Sequence, residues 1–142
     1  MPAALDPNKA SVDLGFVIRD SKATLDFYCG VLGLEHTMDT ELPAGPLGKA
    51  TMHRVQCGAT TLKFQRRETP PTPTNPPGGP TGGVGIRYLT IWVTNIDEIL
   101  TECRAAGHPV VLEPNVIRPG VRIAFVSDPD GNWVELLEST PV

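Results

Sequence analysis

The chain has 142 residues, of which 20% are charged and 40% hydrophobic, and it carries a net charge of −4. That is long enough for one domain, or two small modules sharing a core, and ordinary for a soluble globule. The acidic balance excludes a nucleic-acid binder of the usual kind, which needs a clustered basic surface, and no apolar run approaches the ~20 residues that span a bilayer.

The opening MPAALDPNKAS has neither the basic start nor the apolar centre of a secretory leader. Cys29, Cys57 and Cys103 are widely separated and form no CxxC pair, so reduced thiols and a cytoplasmic protein are expected. Cys29 and Cys57 have no base near them in sequence and read as buried, inert thiols.

In VDLGFVIRD, Leu14, Phe16 and Ile18 alternate with Asp13, Gly15 and Val17, which predicts a strand with one core face. Asp20 and Ser21 then cap a helix through KATLDFYCGVLG, with Leu25, Tyr28 and Leu32 at helical spacing and Gly33 as its stop. Strands are predicted at ATMHRVQC and TTLKFQRR, with a weaker one near EHTMDTEL. Residues 69–85, TPPTPTNPPGGPTGGVG, are rich in proline, which removes backbone donors, and in glycine, which loosens the chain, so neither helix nor central strand is expected there. They read as a linker, with a lid as the other reading.

The pattern then restarts. In IRYLTIWVTN, Leu89, Ile91 and Val93 alternate with Tyr88, Thr90 and Trp92. Asn95 is the expected cap of IDEILTECRAAG, whose apolar stripe is Ile96, Ile99, Leu100 and Cys103, with Gly107 as the stop. Strands follow at HPVVLEPN, VRIAFVSD and NWVELLE, the last two joined by a DPDG turn. Each half is thus strand, helix and three strands, a βαβββ unit repeated at 12–68 and 86–139 around the 69–85 linker. One unit cannot cover both faces of its sheet, so the expected fold is α+β, two modules pairing into a cleft between curved sheets.

VIRDSKATLDFYCGVLGLE, VTNIDEILTECRAAG and FVSDPDGNWVELLE together resemble the vicinal oxygen chelate superfamily, which groups glyoxalases, bleomycin-resistance proteins and extradiol dioxygenases. The resemblance spans roughly residues 12–139. It implies a small-molecule ligand or substrate and a homodimer. In metal-using members it also implies four ligands, usually His, Glu, His and Glu, one on each opening and closing strand.

Carried over by position, those places fall on Asp13, Lys63, Tyr88 and Glu135. Both histidines are missing, and a protonated ammonium has no lone pair to give a cation. Its repulsion from a divalent ion costs on the order of a few kcal/mol at an effective dielectric near 20. A divalent metal is therefore disfavoured and no cofactor is expected. His36, His53 and His108 read as surface or strand-polar residues, with the strand face of His53 left open.

Without metal, Lys63 can pair with Asp13 or Glu135 as a structural polar cluster, the plainer reading. The sharper one gives Glu135 proton transfer, with Lys63 or Tyr88 as electrophilic helpers. Strand parity places Gly15, Val17, Thr90, Trp92 and Trp133 on the same side. The two indoles would suit a flat ligand, with Arg118 or Arg122 meeting an anionic group. Three functions follow: a metal-independent lyase, isomerase or cyclase on a small carbonyl or aromatic compound; a binding protein that sequesters an aromatic drug or metabolite; and a metal-dependent glyoxalase or dioxygenase. The first is preferred, and the sequence does not separate enzyme from binder.

Overall fold

The structure is a computed structural model that describes residues 3–140. Its elements are β1 (Leu14–Ile18), α1 (Ser21–Leu25) running on into a π-helical turn (Asp26–Val31), β2 (Glu35–Leu42), β3 (Ala50–Cys57) and β4 (Thr60–Arg67). A short 3-10 turn (Gly79–Thr81), β5 (Tyr88–Trp92), α2 (Ile96–Ala105), β6 (Val110–Arg118), β7 (Val121–Ser127) and β8 (Trp133–Ser139) follow. None of these helices is long and apolar enough to cross a membrane.

The strands form two four-stranded sheets of one topology, β1-β4-β3-β2 and β5-β8-β7-β6. In each, the opening strand runs parallel to the closing strand and the remaining pairs are antiparallel. This is the expected α+β architecture of two modules. The chain divides into two compact units: the first takes in residues up to Ser21 and Leu34–Pro70, the second Lys22–Gly33 and everything from Pro71.

In the first unit the alternation of β1 is obeyed. Ile18 is buried and Leu14 and Phe16 are half-buried, while Gly15 and Val17 are exposed. Phe16 lies 4.9 Å from Phe64, ring centroid to centroid, and Leu62, Phe64 and Val55 are buried with Ile18. Burying four such side chains contributes about 1.5–3 kcal/mol each.

The second unit builds its core from both helical segments. Phe27 and Tyr28, from the segment after α1, and Ile96, Leu100 and Cys103, from α2, are all buried, as are Val126, Val134 and Leu136. Gly107 ends α2 in the left-handed region at φ 81°. The His108 and Gly107 amides then return to the Cys103 and Arg104 carbonyls at 2.8 and 3.1 Å, a Schellman stop. Asn95 occupies the N-cap but its side chain makes no cap bond. Glu138 does that work from β8, its Oε1 accepting the Ile96 amide at 2.7 Å.

The DPDG turn is held from afar. Tyr28 Oη donates to Asp128 Oδ2 at 2.7 Å in a buried contact. Asp128 Oδ1 accepts the Asp130 and Asn132 amides at 2.9 and 2.8 Å, and Asn132 Nδ2 reaches Oδ2 at 2.9 Å. Burial is the main cause that pushes the Tyr28 hydroxyl well above its usual range, and the Asp128 charge adds to it. The aspartate closes the turn locally while the tyrosine anchors it to the first helical segment.

The Pro/Gly-rich stretch is fastened to this same unit. Arg87 Nε donates to the Gly79 carbonyl at 2.7 Å, and its terminal nitrogens reach Asn75 Oδ1 at 2.9 Å and the Pro76 carbonyl at 2.6 Å. Asn75 Nδ2 donates to Asn132 Oδ1 at 3.1 Å. Gly79, at φ 51°, packs closely on the Trp133 indole, where a Cβ would come within 2.4 Å of the ring. No residue with a side chain fits that approach without moving the indole.

Candidate functional site

The two sheets present equivalent positions through their registers. Gly15 pairs with Lys63 across β1 and β4, and Thr90 pairs with Glu135 across β5 and β8. Lys63 and Glu135 therefore occupy the same place in the repeat, as do Gly15 and Thr90. Asp13 stands just before β1, and Tyr88 opens β5.

In the first unit Lys63 is half-buried and cross-strand from Arg54, which places two cations side by side. Gly15 leaves open space over Lys63, since a Cβ there would meet nothing within 4 Å. Arg54 is turned to Thr40 Oγ1 at 2.6 Å. Asp13 accepts from Lys9 Nζ at 2.5 Å. That hydrogen bond is the main cause holding its carboxyl below the usual range, with Lys63 and Arg54 contributing charge at longer range. Val17 is 53% exposed on the Gly15 side.

In the second unit Thr90 Oγ1 donates to Glu135 Oε1 at 2.7 Å. The pairings Phe125 with Glu135 and Ile123 with Leu137 set apolar side chains on the same face of the sheet. There Val121, Ile123, Phe125 and Leu137 are buried as a cluster with Trp133 packed against it. Tyr88 stands edge-on to Phe125 at 5.5 Å and Trp133 lies tilted to it at 5.3 Å. Glu135 is thus a half-buried carboxylate, fixed by one hydroxyl, in an aromatic and aliphatic wall.

The two tryptophans differ. Trp133 is covered by Gly79 on one side and packed on the apolar cluster, whereas Trp92 is 69% exposed. Arg122 lies on the other face of β7 from Phe125, paired with Asp97 Oδ2 at 3.0 Å and Glu138 Oε2 at 3.2 Å. It helps to fasten α2 and is not on the face of Glu135. Arg118 is exposed at the end of β6. Burial raises the Cys29 and Cys57 thiols above their usual range, which leaves them poor nucleophiles.

The metal site implied by the resemblance does not fit this donor set. Each unit offers one carboxylate, and that of the first is engaged by Lys9. The closing-strand position beside it carries an ammonium next to a guanidinium, and neither has a lone pair. Among the described residues a His/Asp group with metal-ligating geometry does occur, but it is His36, Asp39 and His53. It contains none of the four carried-over positions. His53 is buried, which settles the strand face that parity alone left open. Sequence reading missed this cluster because its members lie on different strands and one of them is reached through a bulge.

A family model described as the Glyoxalase/Bleomycin resistance protein/Dioxygenase superfamily matches residues 12–136. A protein of Synechocystis, named as a probable lactoylglutathione lyase, is 28% identical over 124 residues, which is 87% of this chain and 90% of that one. A glyoxalase family protein from Bacillus cereus superposes with a TM-score of 0.82 at 18% identity, covering 99% of this chain and 100% of that one. The trypanothione-dependent glyoxalase I of Leishmania major superposes with a TM-score of 0.68 at 21% identity, covering 89% and 84%. At these identities the two structures speak for the fold alone.

Proposed function

The chain belongs to the Glyoxalase/Bleomycin resistance protein/Dioxygenase superfamily, and from that premise we propose a metal-independent enzyme of the lyase, isomerase or cyclase type acting on a small carbonyl or aromatic compound. The observation that carries this reading is the Thr90–Glu135 bond at 2.7 Å within the apolar wall of the second sheet. Thr90 occupies Oε1 and leaves Oε2 to act as a base. A carboxylate fixed in this way can take a proton from a carbon beside a carbonyl and return it to the neighbouring carbon. The Tyr88 hydroxyl, at the head of β5, is the donor we assign to the oxyanion that develops between those steps. Lys63 would attract an anionic substrate group on its own sheet. Arg122 is left out of the ligand set because its charge is spent on Asp97 and Glu138.

The Synechocystis relative supports lyase-class chemistry and supplies a first test substrate. Chelator-treated protein is mixed with the hemithioacetal of glutathione and a 2-oxoaldehyde, and thioester formation is followed. Wild type is expected to turn over without added metal, and Glu135→Gln to lose on the order of 10²- to 10⁴-fold in kcat, the usual weight of a positioned acid–base group. Turnover that appears only when a divalent ion is added would defeat the metal-independent assignment.

A second reading rests on Trp92, whose indole is 69% exposed on the strand that carries Thr90. An exposed indole offers a flat apolar face on which an aromatic ligand can stack. A protein that sequesters a flat drug or metabolite would show no turnover on any carbonyl substrate. Its tryptophan fluorescence would be quenched by such a ligand equally in wild type and Glu135→Gln.

A further inference from the structure

A regular strand would point His36 and Asp39, three residues apart, to opposite faces. Here the register of β2 on β3 shifts between His36 and Met38, and this bulge turns His36 to the side of Asp39. Bulges of this kind commonly re-aim a side chain. Asp39 in turn is cross-strand from His53. His36 Nε2 and His53 Nδ1 both address Asp39 Oδ1, at 2.5 and 2.7 Å. The imidazole rings stand 5.8 Å apart at an angle of 75°.

We propose that His36, Asp39 and His53 form a binding site for a first-row divalent transition ion, with Ser21 as the residue that orients His53. The three ligand atoms lie within 4.8 Å of one another. Two imidazole nitrogens and one carboxylate oxygen are a donor set suited to zinc, cobalt, nickel or ferrous iron rather than to magnesium or calcium. His53 is only 7% exposed and has both ring nitrogens engaged, Nε2 lying 2.8 Å from Ser21 Oγ. Such a partner on the far nitrogen fixes ring orientation and tautomer in metal sites. The side chains of His36 and Asp39 are 34% and 50% exposed, which gives an ion a way in and room for water ligands.

Entry of the ion needs two small changes. The imidazoles must present lone pairs where they now aim N–H groups at the carboxylate. His53 does so by carrying its proton on Nε2, and the Ser21 hydroxyl changes from donor to acceptor. Asp39 must also retreat slightly, because ligands about 2.0–2.1 Å from a tetrahedral ion stand about 3.3 Å apart. Its exposed position permits that. Ser21, His53 and Asp39 also follow the order of a nucleophile triad. A triad, however, has no use for a second imidazole on the same carboxylate oxygen, and a metal site does.

The test uses the full chain, stripped with a chelator and titrated with Co²⁺ while visible absorption is recorded. One Co²⁺ per chain with ligand-field bands, displaced by Zn²⁺, is expected. His36→Gln and Asp39→Asn, both at partly exposed positions, should each weaken Co²⁺ binding at least tenfold with an unchanged far-ultraviolet dichroism spectrum. Ser21→Ala should weaken it about 10- to 100-fold, the range for loss of a supporting partner, and Glu135→Gln should leave it unchanged. No bands in wild type, bands that persist in both His36→Gln and Asp39→Asn, or bands lost in Glu135→Gln would each overturn the site. Undiminished binding in Ser21→Ala would overturn the orienting role.

Discussion

Tyr28→Phe isolates the contact that joins the first helical segment to the turn before β8. The substitution removes one hydroxyl from a fully buried ring and leaves Asp128, 4% exposed, without one of its donors. A hydrogen bond to a charged acceptor is worth about 1.5–3 kcal/mol. Asp128 keeps the amides of Asp130 and Asn132 and the Asn132 side chain, so the loss should fall near the lower end, about 2 kcal/mol. For a chain of this size that lowers Tm by about 4–8 °C. Urea unfolding followed by far-ultraviolet dichroism checks it: the midpoint should fall and the slope should not change. The pH dependence supplies a second reading. Folding raises the pKa of this hydroxyl above its ordinary value of 10.0, so its stabilisation is complete below pH 10 and lost as pH rises above it. The gap between wild type and Tyr28→Phe should therefore be constant from pH 7 to 9 and narrow above pH 10. A change in stability below about 0.5 kcal/mol, within the range of an ordinary surface substitution, would refute the anchoring role.

Three other substitutions test neighbouring contacts. Gly79→Ala puts a methyl group within 2.4 Å of the Trp133 ring at a residue with φ 51°; the Pro/Gly-rich 69–85 stretch, strapped over Trp133, should lift, with a loss of more than about 1 kcal/mol, faster proteolysis within it and a shifted tryptophan emission. Unchanged emission and cleavage would show that the strap does not depend on that approach. Lys9→Ala should raise the Asp13 carboxyl towards its ordinary pKa of 3.8, and Lys63→Ala should raise it by less. Carboxyl carbon shifts in an NMR titration read both, and the reverse order would mean that Lys63 is the nearer charge.

Features set by short-range rules were legible in the sequence. The alternation of Leu14, Phe16 and Ile18 follows from a strand with one covered face, and the φ of 81° at Gly107 follows from the need of a helix to end in the left-handed region. The sequence marks Asn95 as both boundary and cap, yet only the boundary holds, because the acceptor of the Ile96 amide is Glu138, on a strand 42 positions beyond Ile96. Tyr28 and Asp128, 100 positions apart, each sit in a recognisable motif, yet nothing local says that the motifs touch. Arg122 and Glu135 are both near the end of the chain, but pairing of β7 with β8 assigns them to opposite faces, and only the register decides that. The same holds more strongly for His36: a bulge breaks the two-residue period on which any parity argument depends.

The internal duplication sharpens what the carried-over positions mean. Lys63 and Glu135 are the same residue of the repeat, each paired with an exposed residue of its module's opening strand, Gly15 in one copy and Thr90 in the other. The copies differ in a matched way: where the acid stands, its partner supplies a hydroxyl that holds it at 2.7 Å, and where the cation stands, its partner supplies no side chain at all. A duplicated metal site would keep a ligand at both places, since an ion gains from each donor alike. A base and an anion-attracting group have no reason to match, and the first needs a fixed orientation while the second, a mobile ammonium on a long stem, is served by open space. The asymmetry between Thr90 and Gly15 therefore supports the roles proposed above, proton transfer for Glu135 and charge attraction for Lys63.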